Sequence, residues 1–272
     1  MSGIFGTLTI DGSPSDPAAL QRMLQSLLHR GVAGNATWCD GPIAMGQLAL
    51  WPREDHKAVQ VDHNDQHVLV ADVRLDNRDD LCRMFACATG VPDQQLILRA
   101  YARWGEACPE HLLGDFAFAI WDAKEQRLFC ARDHLGTRSF YYHQGTSNFL
   151  FATEIKALLA HGGVSRELDE GRIADYLGRI FADKTSTFYE AIKRLAPGHS
   201  LTVSAAGPRL RCYWQLDPKL RIERASDDAY ADEFRSILTT ALGDRMRGTQ
   251  PIGVLLSGGL DSSALASIAR QK

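Results

Sequence analysis

The sequence has almost no excess of either charge. Thirty lysines and arginines stand against 33 aspartates and glutamates, a formal net charge of −3 over 272 residues. Nucleic-acid and membrane-surface partners demand a basic patch, and this balance gives no reason to expect either. No apolar run approaches the length that spans a bilayer. The amino terminus, Met1-Ser2-Gly3-Ile4-Phe5-Gly6, lacks the basic and long apolar segments of a secretory signal. None of the six cysteines (Cys39, Cys82, Cys87, Cys108, Cys130, Cys212) forms a C-x-x-C pair. Metal ligation is therefore not expected, and reduced thiols in the cytoplasm are. Internal repeats and low-complexity tracts are also missing. What is present is a 45% hydrophobic composition over a length that favours two domains or one large one, enough to bury a core.

Short apolar runs rich in β-formers dominate the first two hundred residues: Ile4–Ile10, Ile43–Leu50, His67–Val73, Phe116–Asp122, Leu128–Arg132, Ser139–Tyr142 and Phe149–Ala152. Helical patterns lie between them. One runs from Pro17 to Leu28, with Asp16 as N-cap and proline at the first helical position. Another runs from Asp93 to Trp104, with apolar residues at Leu96, Ile97, Ala100, Tyr101 and Trp104. Strands in runs, with helices grouped between them, predict an antiparallel α+β domain over 1–204. Residues 205–226, containing Gly207-Pro208 and Asp217-Pro218, read as a linker. Beyond it, 227–272 opens a second domain with a helix from Asp227 to Met246, N-capped by Ser226.

The apolar run Ile252-Gly253-Val254-Leu255-Leu256 then predicts a strand buried on both faces of a parallel sheet. Ser257-Gly258-Gly259-Leu260-Asp261-Ser262-Ser263 follows, and Ala264–Arg270 reads as a helix. Two glycines allow a tight turn that gathers backbone N–H groups, and the helix aims its positive end at the same point. That is a phosphate site, with hydroxyl donors from Ser257, Ser262 and Ser263 and with Asp261 able to hold a Mg²⁺ that bridges phosphates. The plain alternative is a serine- and glycine-rich connecting turn. No G-K-[ST] is present, so this is not the P-loop of ordinary NTPases.

The segment resembles the pyrophosphate loop of ATP pyrophosphatases, which split ATP between its α and β phosphates. The resemblance implies ATP and Mg²⁺ bound over Leu255, Leu256, Ser257, Gly258, Gly259, Leu260, Asp261, Ser262 and Ser263. It also implies adenylation of a carboxylate for attack by an amine. Upstream, His29-Arg30-Gly31, Leu113-Gly114-Asp115-Phe116-Ala117-Phe118, Ala131-Arg132-Asp133-His134-Leu135-Gly136, Phe151–Leu158, Pro197-Gly198-His199 and Tyr213-Trp214 follow in the order of the glutamine-dependent asparagine synthetase family. The chain resembles that family over nearly its whole length. The fold this implies is an N-terminal-nucleophile, class II glutamine amidotransferase-like four-layer αββα sandwich. The start of an α/β ATP-pyrophosphatase domain, of the adenine nucleotide α-hydrolase type, would follow. Most of the shared residues have structural readings: Ala131-Arg132-Asp133 ends a strand, Gly136 turns, and Phe116, Phe118 and Trp121 pack.

The pattern breaks at the glutamine site. Where active members place a nucleophilic cysteine, exposed once methionine is removed, this chain has Ser2. A thiol of pKa ~8.5 supplies some thiolate at neutral pH, and a serine hydroxyl supplies essentially none. The family's G-H-R-R-L, whose arginine grips the glutamine carboxylate, is Gly46-Gln47-Leu48-Ala49-Leu50 here. Its Y-N-G-E-I-Y-N, which supplies the oxyanion hole and a carboxylate for the substrate amine, is Ala71-Asp72-Val73-Arg74-Leu75-Asp76-Asn77. R-G-P-D is reduced to Arg30-Gly31-Val32-Ala33, and Asp93 alone keeps its carboxylate. One lost oxyanion donor costs on the order of 3 kcal/mol, and a buried charge reversal costs more. Ser2, Leu48, Asp72, Val73, Arg74 and Asp93 therefore form a degenerate glutamine site without useful glutaminase activity.

Without glutamine the amine must come from elsewhere. Within the resemblance, β-lactam synthetases and lasso-peptide cyclases let an amine of the same molecule attack. The opening M-S-G-I-F-G is more like the cyclases, which join a peptide α-amine to an Asp or Glu side chain. That reading implies a peptide substrate, a protease partner that delivers it, and room for a homo-oligomer. An asparagine synthetase using ammonia or residual glutamine is the alternative. One strand and one helix cannot cover a parallel sheet, so the chain reads as part of a longer protein. A non-catalytic binding module is the reading if 272 residues is the natural length.

Overall fold

A computed structural model describes residues 2–50, 61–64, 66–180, 182–247 and 252–271. The chain divides into two compact units, Met1–Gln215 and Leu216–Lys272. The first begins with β1 (Gly3–Thr9), α1 (Pro17–Leu27), β2 (Gly34–Asp40), β3 (Ile43–Ala49), β4 (Asp62–His63), β5 (His67–Leu75), α2 (Arg78–Met84) and α3 (Asp93–Trp104). It continues through β6 (Gly114–Asp122), β7 (Arg127–Arg132), β8 (Tyr141–Gln144), β9 (Asn148–Ala152), α4 (Ile155–Ala160), α5 (Glu170–Leu177), β10 (Lys193–Arg194), β11 (His199–Ser204) and β12 (Gly207–Cys212). Among the described residues the strands pair into two antiparallel sheets, ordered β10-β8-β9-β1-β3-β2 and β12-β11-β7-β6-β5-β4.

Period-2 alternation explains the layering. On β1 and β3, Ile4, Leu8, Ile43 and Met45 enter the core between the sheets, joined there by Val68 and Val70 of β5. The opposite faces of the first sheet, with Phe5, Ala44 and Leu48, meet Leu20, Met23, Leu24 and Leu27 of α1 and Ala157 and Leu158 of α4. The outer face of the second sheet, with Leu69, Ala71 and Leu75, meets Leu81 of α2 and Leu96, Ile97 and Ala100 of α3. Helix, sheet, sheet, helix is the expected αββα sandwich. Asp16 caps α1 by accepting the Ala18 amide at 2.8 Å, with Pro17 at the first position as expected.

The sequence runs with continuous buried faces form strands close to their expected bounds. β2 and β12 had no such signal, and β11, although buried along Ser200–Val203, was not expected. β12 reads Gly-Pro-Arg-Leu-Arg-Cys and is mostly exposed, yet it pairs along β11, whose other edge is bonded to β7. The expected linker from 205 is therefore corrected: its first third is sheet, and the first unit runs to Gln215. Tyr213 holds that end in place, its hydroxyl donating to the Arg132 carbonyl at 2.6 Å. The Trp214 ring meets His134 edge-on, centroids 5.2 Å apart.

The second unit contains α6 (Asp227–Arg245) and α7 (Leu260–Ala269), α6 capped by Ser226, which accepts the Ala229 amide at 3.2 Å. Residues 252–256 belong to no helix or strand, and their apolar side chains are exposed. The buried parallel strand expected there is not formed. A strand needs a neighbouring ladder, and the described residues of this unit offer none. α7 begins at Leu260, four residues earlier than expected.

Candidate functional site

Strand parity places Ser2 and Asp72 on the same side of the sandwich. Positions 4 and 8 of β1 and 68 and 70 of β5 point between the sheets, so 2 and 72 do too. Where the sandwich opens they meet: the Ser2 amide donates to Asp72 Oδ1 at 3.1 Å. Gln47, at the corresponding place on β3, is buried and accepts the Ala71 amide at 3.2 Å through Oε1. Asp72 is buried, and burial pushes its pKa up. Arg138, the Ser2 amide and Arg30 oppose that shift without overcoming it.

Arg138 reaches Asp72 with Nη1 3.7 Å from Oδ1. Its loop is fixed by the buried Asp133, whose carboxylate accepts the amides of Leu135 at 3.2 Å, Thr137 at 2.9 Å and Arg138 at 2.9 Å. Arg132 holds the same loop from beneath, donating to the carbonyls of Gly136, Arg138 and Leu195, each at 2.6 Å. The shared Ala131–Gly136 segment thus has the structural role expected of it, and its product is the placement of Arg138.

A second charged group borders Ser2. Glu154 accepts from Arg30, from His29 at 2.9 Å and from Lys156 at 3.1 Å. Burial opposes ionisation, but these three hydrogen bonds outweigh it and hold the Glu154 pKa down at about 2. Arg30 also donates to the Ser2 carbonyl at 3.4 Å. Thr153 accepts the Ile4 amide at 2.9 Å. The His29–Gly31 and Phe151–Leu158 motifs, far apart in sequence, thus close on the first residues of β1.

The remaining degenerate positions are distributed differently. Leu48 is buried on the outer face of β3 in the core beneath α1, so it does not join Ser2 and Asp72 between the sheets. Val73 packs toward the core beneath α3. Arg74 lies opposite Asp115 across the ladder, with Nε 3.8 Å from Asp76 Oδ1. Asp93 opens α3 and is engaged: Oδ2 accepts the Leu75 amide at 2.9 Å and Oδ1 accepts from Arg78 at 2.6 Å. Arg138, Arg30, Glu154 and Gln47 are the site residues that reading the sequence missed. Each lay inside or just beyond a quoted motif, but nothing in the linear pattern said which of them face Ser2.

In the second unit, Gly258 takes φ 80°, and a Cβ there would meet nothing within 4 Å. The Ser257 amide donates to Ser262 Oγ at 3.3 Å, and the two hydroxyls lie 3.1 Å apart. Ser262 Oγ also donates to the Gly259 carbonyl at 3.2 Å. The loop is open and leads into the first turn of α7, where Asp261 lies exposed, and its amides and hydroxyls are of the kind that fit phosphate oxygens.

Residues 1–214 match the glutamine amidotransferase domain family, and residues 233–272 match the asparagine synthase family. Asparagine synthetase [glutamine-hydrolyzing] 3 of Bacillus subtilis is 33% identical over 260 residues, covering 92% of this chain and 42% of that protein. Amidase chyE of Penicillium rubens is 34% identical over 195 residues, 70% of this chain and 28% of its own length. The chain thus spans less than half the length of these relatives. Among solved structures, a glutamine phosphoribosylpyrophosphate amidotransferase from Bacillus subtilis superposes with a TM-score of 0.55. That likeness has 16% identity and covers 99% of this chain and 64% of the other, a likeness of fold.

Proposed function

The chain belongs to the glutamine amidotransferase domain family over residues 1–214 and matches the asparagine synthase family over 233–272; from that premise we propose that the domain keeps the amidotransferase fold but not glutamine hydrolysis. The observation that carries this reading is the buried Asp72 carboxylate, 3.1 Å from the nitrogen of Ser2. Amide hydrolysis builds negative charge on the carbonyl oxygen, and the site must present donors to it. Asp72 presents acceptors and a negative charge instead. Two further features support the reading. Asp93, the retained carboxylate, already binds Arg78 and the Leu75 amide. Leu48 is buried in the core and brings no cation to a substrate carboxylate.

The whole protein is then an ATP-dependent carbon–nitrogen ligase whose amine does not come from glutamine. When bound, ATP supplies the leaving group that activates a carboxylate. Ser257–Ser263 would hold its phosphates through backbone amides and hydroxyls, with Leu255 and Leu256 leading into the loop and Asp261 toward Mg²⁺. The specific reading is a macrolactam-forming peptide cyclase of the lasso type, in which a peptide α-amine closes on an Asp or Glu side chain. Its partners would be the precursor peptide and the protease that delivers it. The second reading, a glutamine- or ammonia-using asparagine synthetase, is favoured by the names of the matched relatives.

Glutamate release from glutamine tests the first claim, and the expected result is none above the uncatalysed background. Release at a rate within tenfold of an active family member overturns it. With the full-length protein, ATP–pyrophosphate exchange that depends on an acidic peptide and ignores free aspartate supports the cyclase. Exchange driven by aspartate supports the second reading.

A further inference from the structure

The C-terminus of α2 brings two cysteines together. The Ala86 amide donates to the Arg83 carbonyl at 3.3 Å, and the Cys87 amide donates to the Cys82 carbonyl at 3.0 Å. Between them Ala86 takes the left-handed conformation, φ 49°. Two such bonds around a left-handed residue make a Schellman motif, in which the third-last helical residue and the residue after the turn bring their side chains into contact. Those positions are Cys82 and Cys87. Both lie in the apolar cluster beneath α3, Cys82 buried and Cys87 partly exposed. A direct backbone hydrogen bond draws the two residues together, as a disulfide with its Cα separation of about 4.4–6.8 Å requires. Burial first, and the Cys87 thiol next, raise the Cys82 pKa, consistent with sulfurs side by side.

The turn is held from outside as well. A left-handed alanine is strained, because its Cβ crowds the following carbonyl oxygen. Arg78 offsets part of that by donating to the Thr89 and Val91 carbonyls, each at 2.7 Å, while its other nitrogen holds Asp93.

We propose that Cys82 and Cys87 are a dithiol modification site that closes to an intramolecular disulfide on meeting a small-molecule disulfide such as oxidised glutathione. The partly exposed Cys87 loses its proton and attacks one sulfur of the oxidant, expelling one thiolate and leaving a mixed disulfide. Cys82, deprotonated in turn, attacks the Cys87 sulfur and expels the second thiolate. Two protein thiols are oxidised, two electrons pass to the disulfide reagent, and two small thiols leave. The cross-link ties the end of α2 to the loop that Arg78 clasps.

The test equilibrates the whole chain in glutathione buffers from reducing to oxidising, then quenches with N-ethylmaleimide and digests with trypsin. Arg83 lies between the two cysteines, so a disulfide leaves the peptides 79–83 and 84–99 joined. The joined pair is expected in oxidising buffer and should vanish with dithiothreitol, while Cys39, Cys108, Cys130 and Cys212 gain no intramolecular link. Thermal midpoints should rise by a few °C on oxidation in the parent chain and stay put in Cys87→Ser. Maleimide on both Cys82 and Cys87 in the most oxidising buffer overturns the proposal, as does glutathione on Cys87 that never gives way to the joined peptides. The peptide map of the parent chain decides the matter even if Cys87→Ser does not fold.

Discussion

Asp72 and Glu154 border the same few residues of β1, and their environments push them in opposite directions. The folded pKa of Asp72 lies above its unfolded value of 3.8. Its favourable contribution is therefore fully present below that pH and is lost as pH rises through the folded pKa. Asp72→Asn keeps an oxygen for the Ser2 amide and removes the buried charge. The variant should match or exceed the parent at pH 7, since burial disfavours the Asp72 charge more than Arg138 and the Ser2 amide favour it. That advantage should shrink toward pH 3 in urea titrations; a parent chain that gains on the variant as pH rises would contradict it. Glu154 behaves in reverse. With its pKa lowered from 4.5 to about 2, it stabilises above pH 4.5 and loses that contribution as pH falls toward 2. Glu154→Gln should cost about 1 kcal/mol at neutral pH after solvent screening, and almost nothing at pH 2. An equal loss at both pH values would rule out the charge as the cause. Asp72 was legible in the sequence because a motif position carried the wrong charge. Arg138 and Glu154 were not, because their importance comes from which way a loop and a helix start point their side chains.

At the scale of the element, two glycine positions explain part of the shared pattern. A Cβ on Gly46 would lie 2.3 Å from Phe5 Cζ, and one on Gly6 would lie 2.6 Å from Phe151 Cζ. Phe5 and Phe151 are fully buried, so neither ring has room to retreat. Gly46→Ala should cost roughly 2–3 kcal/mol and lower the melting temperature by several degrees. An unchanged midpoint would mean that Phe5 repacks freely. The Asp133 loop is the second case. Asp133→Ala removes the acceptor for three loop amides and should cost about 3 kcal/mol. It should also release Arg138 from Asp72, which hydrogen exchange over residues 134–139 would report as lost protection. Strands with a full buried face, such as β5 and β6, announced themselves by composition. The edge strands β2 and β12 did not, since hydrogen bonding to an already formed neighbour, and not their own side chains, makes them strands.

At the scale of the whole molecule, the two units differ in how much core they hold. The first has three apolar layers, whereas α6 and α7 bury none of their described residues. Limited proteolysis should therefore cut first between Gln215 and Asp227 and leave a resistant product close to residues 1–215. Cleavage within β1–β12 at a comparable rate would contradict this. Strand alternation predicted an antiparallel α+β domain from the sequence alone, because a core facing two sheets leaves a periodic trace in every central strand, and the ordered motifs carried the resemblance that implied the sandwich. Tertiary structure decided the rest. It set Ser2 against Asp72, drew Arg138 and Glu154 toward the same strand end, and left 252–256 unpaired. These are outcomes of contact between residues far apart in the chain, and a strand's pairing depends on a partner that its own sequence does not contain.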